Sequence, residues 1–378
     1  MNNMFTHTLI YGAVHAPLEE IMKAEISPLK VGCGKFFHGR GALSYLPGEI
    51  RRLGGKALII GGKTSLERFW DCAASLFQAD GVPYTSFTHT GPCTTDRAME
   101  FVHTAKENAC SVLVAVGGGK CIDNVKCASV FSGLPVITVP SSIATCAATS
   151  MVAIMYNEKG QRAPAVNLKK EVDVCIADHD LIATAPKRTL AAGILDSMAK
   201  YPESLHKKQV TGYQSCDLKE YIQIINAKGI YEFLSGEYED LYRNNGSSGR
   251  FDDAILTNLL HTSIVSGFAD GSGQLAVAHA TYDFIRNYHT LKGGAFLHGE
   301  LVAVGLLIQM AFNQCPSSEI GQVRSIMRSM NMPLTLGDIG YDTSPESLEF
   351  LIKHLAADSD INTEPEIIRL KNAVPEAL

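Results

Sequence analysis

The chain has 378 residues, more than one ordinary core requires, so two domains are expected. Apolar residues make up 46% and charged residues 19%, a balance that builds large buried cores and leaves no long stretch expected to be disordered. The formal charge of -6 is spread along the chain, which excludes the basic face of a nucleic-acid binder and leaves small molecules as the expected partners.

No 18-residue uncharged apolar stretch occurs, and the opening MNNMFTHTLIYGAVHAPLEE lacks the basic and apolar segments of an export signal. Ten cysteines are scattered without a C-x-x-C pair, as buried thiols in a reducing compartment are. Neither membrane insertion nor export is expected, and the location expected is the cytoplasm.

In chain order, KALIIGG at 56 to 62 reads as a strand, followed by a helix from about Ser65 to Phe77. The pattern repeats with a strand near 84 to 89, a helix through DRAMEFVHTAKENA, the strand SVLVAVG at 111 to 117 and a helix from about Ile122. Strands are also expected at LPVITVP, MVAIMYN and EVDVCIAD. Strands joined by helical crossovers pair in parallel with helices on both faces, so the first half is expected to be a Rossmann-like, doubly wound α/β domain. After Asp178 the strand signals stop, and Pro186 opens a series of helical segments. These are expected over 186–201, 217–242, 251–268, 274–287, 299–313, 318–330 and 346–357. The division is therefore 1–178, α/β, and 179–378, all helical.

The segment SVLVAVGGGKCIDNVKCAS runs a buried-type strand into Gly117, Gly118 and Gly119 and then into a helix. Glycines let the backbone approach a pyrophosphate, and the free N–H groups of the next helix favour its charge. It is neither a G-x-G-x-x-G fingerprint nor a P-loop, and an ordinary tight turn explains it equally well. Asp123 and Lys126 follow on that helix, where Asp123 reaches toward a ribose or nicotinamide, or merely offsets the helix terminus.

Asp196, His279 and His298 each sit in an apolar setting in the helical half. One carboxylate and two imidazoles with open positions suit catalytic Zn²⁺ or Fe²⁺, although a lone histidine on an apolar face is more often part of the core. His261 and His289 are local competitors.

Blocks spread over most of the chain resemble the iron-containing alcohol dehydrogenases, in particular their glycerol dehydrogenase-like branch. They are GCGKFFHGRGAL, GGGKCID, VPSSIATCAATSMVAIMY, PKRTLAAGILDSMAKY, SGFADGSGQLAVAHA and FLHGELVAVG. The resemblance implies the dehydroquinate synthase-like fold, with an α/β nucleotide domain, a helical metal domain and a cleft between. It also implies that Asp196, His279 and His298 hold one divalent metal, Zn²⁺ or Fe²⁺, and that Gly118, Gly119, Lys120 and Asp123 face NAD or NADP. Ser141, Ser150, Val152 and Tyr156 would line the nicotinamide end. The activity implied is hydride transfer between NAD(P)(H) and a small alcohol or carbonyl compound, and a homo-oligomer is compatible with it.

Two departures from the family pattern bear on specificity. Where glycerol dehydrogenases carry an aspartate that contacts the polyol, this chain has Cys146, which removes a carboxylate and turns the expectation toward 2-oxo or 2-hydroxy acids, as in the hydroxycarboxylate dehydrogenase subgroup. Where NAD-preferring members place an aspartate after the first strand, this chain has Gly62 and Lys63, which leaves room for a 2′-phosphate. The rival readings are a polyol dehydrogenase, a dehydroquinate synthase-like lyase and a non-catalytic binding protein. The lyase needs a basic phosphate pocket, and no Lys/Arg cluster stands beside the three ligands in the sequence.

Overall fold

The computed structural model describes residues 32–269, 276–289 and 294–378. The opening segment read above for export signals, and the start of the helix expected at 274, lie outside the described residues. Among those described, no helix is long and apolar enough to cross a membrane.

The α/β part consists of β1 (Phe36–Gly39), α1 (Leu46–Leu53), β2 (Ala57–Gly61), α2 (Lys63–Asp80), β3 (Tyr84–Thr88), α3 (Thr95–Glu107), β4 (Val112–Gly117), α4 (Gly119–Ser132), β5 (Val136–Pro140), β6 (Val152–Ala153), β7 (Val166–Asn167) and β8 (Val174–Asp178). Six of the strands form one parallel sheet in the order β1-β8-β5-β4-β2-β3. Its central strands are continuous apolar runs because both faces are covered. In the β2–β4 register Ala57 lies opposite Val112 and Leu58 opposite Leu113. Leu58, Ile60, Leu113 and Ala115 belong to the core shared with α3 and α4, while Ala57, Ile59, Val112 and Val114 pack with α1 and α2. The period of two thus sorts alternate residues to opposite layers. From β2 the chain moves outward to β3 and then back across to β4, so the strand order reverses between β2 and β4. Gly62 and Gly117 lie at the carboxyl ends of that pair, where doubly wound sheets bind ligands.

Several expectations need correction. The stretch MVAIMYN does not join the sheet: only Val152 and Ala153 are extended, in a two-stranded antiparallel ribbon with β7. The buried Lys126 Nζ donates to the Val152 and Ser150 carbonyls, at 2.6 and 3.1 Å, so a side chain takes up carbonyls that a neighbouring strand would otherwise use. Conversely, Phe36–Gly39 is a sheet strand, paired with β8 from Phe36↔Cys175 onward, although it is too short and mixed in polarity to show by pattern.

The helical part contains α5 (His179–Ala183), α6 (Lys187–Ser204), α7 (Leu218–Asn244), α8 (Phe251–Leu256), α9 (Thr262–Phe268), α10 (Val277–Tyr288), α11 (His298–Phe312), α12 (Ser317–Ser329), α13 (Pro345–Asp358) and α14 (Glu364–Ala373), of which α5 and α14 were not foreseen from the sequence. The single helix expected at 251–268 is interrupted by a π-helical turn, Thr257–His261. That turn presents Asn258 Nδ2 to the Ile143 carbonyl at 3.2 Å and the Leu259 carbonyl to Thr149 Oγ1, which ties the loop after β5 to the helices. Among the helices α11 is the core, buried almost all round, and packs against α6 and α10. The approach of α11 to α6 is close, since a Cβ at Gly299 would stand 1.9 Å from the Ala192 carbonyl oxygen.

Candidate active site

A cleft of about 320 Å³ opens where the α4 N-terminus and the loop following β5 meet α6, α10 and α11. On its helical side α6 supplies Asp196, α10 supplies His279 in its first turn, and α11 begins with His298. The Asp196 Oδ1 lies 3.2 Å from His279 Nε2 and 3.1 Å from His298 Nε2. Zinc bonds of about 2.0–2.1 Å in a tetrahedron place ligand atoms about 3.3 Å apart, close to these two distances, and the three donor atoms all lie within 4.8 Å of one another. All three residues line the cleft, within reach of a small molecule held there. By donor set and spacing, these residues fit a divalent cation.

Charged neighbours hold this constellation in place. Burial alone would raise the Asp196 carboxyl, but His298 and His279 beside it hold it well below the usual carboxylate range. His279 Nδ1 donates to Glu203 Oε2 at 2.6 Å, and its backbone N–H donates to Glu203 Oε1 at 2.9 Å. Burial lowers the proton affinity of His279, yet the Glu203 and Asp196 carboxylates outweigh it and carry the imidazole up to about 9, against Lys200. A carboxylate on the far ring nitrogen fixes the tautomer and aims Nε2 at the cleft, the usual arrangement behind a metal-binding histidine. Lys200 Nζ lies 3.2 Å from the same Nε2.

Glu203 and Lys200 escaped sequence reading, although they stand seven and four residues beyond Asp196, on one stripe of α6. A buried Asp, Lys and Glu recurring at helical spacing was the available signal. Tyr282, three residues after His279, was also missed: its ring lies edge-on to His298 at 4.1 Å, and its hydroxyl is 2.6 Å from that of Tyr156. His289 packs on the rings of Phe284 and Tyr341, and His261 ends the π-helical turn; neither is grouped with the triad.

On the opposite side of the cleft the glycine turn joins β4 to α4. Gly117 has φ 152°, in the region that favours glycine. Gly118 caps the helix without a side chain, and a Cβ there would come no nearer than 3.8 Å to Ser142 Oγ, which leaves its helix terminus accessible. Ser141 N donates to the Gly117 carbonyl, and Ser141 Oγ is 3.2 Å from Ser65 Oγ, so Ser141 sits beside the turn. Gly62, at the start of α2, has open space around a Cβ.

Lys120, Asp123, Cys146, Ser150, Val152 and Tyr156 all line the cleft. Asp123 is committed inward: burial raises its carboxyl, while Lys126 Nζ, 2.8 Å away, pulls it down. The Lys126 ammonium also donates to Ser150 Oγ at 3.0 Å and to the Ala147 carbonyl at 2.8 Å, so this one fully buried cation shapes the loop bearing Cys146, Ser150 and Val152. The absence of a basic cluster beside the triad does not survive folding. Lys120, Arg162, Lys200 and Arg286, from four separate segments, all reach the cleft wall.

Residues 33–179 match the family model described as iron-containing alcohol dehydrogenase. The chain is 28% identical over 353 residues to a glycerol dehydrogenase of Thermotoga maritima, covering 90% of this chain and 93% of that one. It is 27% identical over 248 residues to hydroxycarboxylate dehydrogenase A of Escherichia coli K12, covering 65% and 67%. A crystal structure of a probable glycerol dehydrogenase from Sinorhizobium meliloti superposes with a TM-score of 0.77 at 21% identity, covering 92% of this chain and 99% of that one.

Proposed function

We propose that this chain, an oxidoreductase that carries the iron-containing alcohol dehydrogenase domain, moves a hydride between NAD(P) and a small 2-oxo or 2-hydroxy acid held in the cleft. The observation that carries the reading is the juxtaposition, across one cleft, of the Asp196–His279–His298 triad and the glycine-capped α4 terminus. The division near residue 178 into a nucleotide half and a metal half is part of the proposal.

In the oxidative direction a 2-hydroxy acid and NAD(P)⁺ give a 2-oxo acid, NAD(P)H and a proton. Asp196, His279 and His298 would hold the divalent cation, which supplies Lewis acidity toward the substrate oxygen. Gly118, Gly119, Lys120, Asp123, Ser141, Ser150, Val152, Tyr156 and Gly62 would border the dinucleotide, whose nicotinamide supplies or accepts the hydride. The protein's own contribution is placement. Glu203 fixes the His279 ring, Lys126 fixes the 147–152 loop, and the Tyr156–Tyr282 pair walls the cleft beside His298. Holding two reactants in a narrow, largely apolar cleft removes most of the orientational cost of bringing them together.

An acid is favoured over a polyol because Cys146 offers no carboxylate to accept from vicinal hydroxyls, while cationic side chains reach the wall. Glycerol oxidation is the second reading, favoured by the likeness to the Thermotoga maritima enzyme. The deciding experiment is a panel of 2-oxo acids, aldehydes and polyols, assayed with both NAD and NADP cofactors after loading with Zn²⁺ or Fe²⁺. Exclusive use of polyols would refute the acid assignment. Substituting Asp196→Asn should abolish metal retention and turnover while dinucleotide binding persists, and full activity in the metal-stripped variant would refute the metal site.

A further inference from the structure

Lys200 is a buried lysine on the wall of the cleft, 4% exposed, one helical turn beyond Asp196. A charge so placed is costly unless an anion meets it. The acids on either side of it along α6 are already engaged. Asp196 Oδ1 faces both imidazoles at 3.1 and 3.2 Å, and both oxygens of Glu203 accept from His279. Among the described residues Lys200 makes no ion pair with a carboxylate, and its hydrogen-bond neighbour is His279 Nε2, an atom that also faces Asp196.

The other cations of the cleft differ. Arg162 Nε pairs with Asp283 at 3.0 Å, and Arg286 donates to the Gly160 carbonyl and lies over the Tyr156 ring. Lys120 is exposed at the first turn of α4. On the wall near Lys200 the half-buried Cys146 thiol is kept in its neutral form by burial, with Lys200 acting against that shift, and Ala144 and Ala147 flank it. Among the described residues, the Cys146 side of the cleft supplies no carboxylate that pairs with Lys200.

We propose that Lys200 selects the substrate by binding its carboxylate. The inference rests on the reading of the cleft as a dehydrogenase site. Because Lys200 touches the same imidazole nitrogen that faces Asp196, the anion it binds must lie next to the reacting oxygen rather than at the far end of the cleft. That position suits an acid whose carboxylate is bonded directly to the carbinol or carbonyl carbon, and it disfavours longer hydroxy acids. A divalent cation held by the triad and the Lys200 ammonium together exceed the charges of Asp196 and Glu203 by one, so a single carboxylate balances the site where a neutral polyol does not.

The test compares wild type, Lys200→Met and Lys200→Arg in the zinc-loaded enzyme. The first readout is the ratio of kcat/KM for glyoxylate to that for the neutral aldehyde propionaldehyde. A charge-assisted contact predicts a fall of about 10- to 100-fold in this ratio for Lys200→Met, with a smaller fall for Lys200→Arg. The second readout needs no turnover: oxalate, a two-carbon dianion, should raise the melting temperature of the wild type with NADH bound and should fail to do so in Lys200→Met. A Lys200→Met enzyme that keeps either the wild-type ratio or the wild-type oxalate shift overturns the proposal. Failure of the dehydrogenase reading looks different: the wild type would turn over neither substrate with either cofactor, while the oxalate arm would still report whether Lys200 holds an anion.

Discussion

Replacing Gly299 with alanine should damage the proposed metal site through the backbone, without touching Asp196, His279 or His298. Gly299 follows His298 at the start of α11 and lies on the backbone of α6; its added Cβ would stand 1.9 Å from the Ala192 carbonyl oxygen and 2.6 Å from the carbonyl carbon. Reaching even a tight contact of about 3 Å requires α11 to withdraw by roughly 1 Å, because closely packed backbone has no slack. His298 would move with it, taking Nε2 from 3.1 Å to about 4 Å from Asp196 Oδ1, beyond the spacing of two ligands on one zinc. Overpacking of this kind costs about 1–3 kcal/mol. At roughly 2–4 °C per kcal/mol for large domains, the melting temperature should fall by several degrees. A 1 Å displacement of a catalytic group costs about 100-fold in turnover. Chelator competition for Zn²⁺ and calorimetry would check both effects, with Gly229→Ala on α7 as the control, since a Cβ there meets nothing within 4 Å. The reasoning is refuted if Gly299→Ala melts with the wild type and holds zinc equally well.

Three further outcomes follow from particular contacts. Glu203→Gln keeps the shape but loses the charge behind His279, so zinc affinity should fall about 10- to 100-fold in the same competition assay while the fold persists. Gly62→Asp has room, with φ −65° and ψ 154° at the start of α2, and its carboxylate would repel a 2′-phosphate. The ratio of NADPH to NADH affinity should then drop about tenfold or more, and an unchanged ratio would place the adenosine ribose elsewhere. His206 is held neutral: its Nε2 donates to the Ser359 carbonyl, and its Nδ1 accepts from Gln309, whose own Oε1 accepts from Val277 N. Burial holds its proton affinity below the ordinary value of 6.5, so the native state binds fewer protons than the unfolded chain. Its contribution is therefore complete above pH 6.5 and lost as pH falls through the lowered value. Urea midpoints between pH 7.5 and 5 should decline more steeply for the wild type than for His206→Asn.

Much of this molecule is written locally. The apolar runs at Ala57–Gly61 and Val112–Gly117 could only be strands buried on both faces, and the crossovers between them impose parallel pairing, because each signal arises within a few neighbouring residues. Type and setting made Asp196, His279 and His298 candidates alongside His261 and His289, the family resemblance singled them out as a ligand set, and the amphipathic runs marked most of the helices. What tertiary structure alone decided was company. The basic lining of the cleft comes from four segments that no spacing connects, and the closeness of His298 to Asp196 depends on a missing side chain at Gly299. Lys126 shows the same limit, for it draws the 147–152 loop away from the sheet with hydrogen bonds reaching 21 to 26 residues along the chain. Periodicity reports which face of an element is buried; which charges meet there is settled only when distant elements pack, since electrostatic energy depends on separation in space and burial rather than on order in the chain.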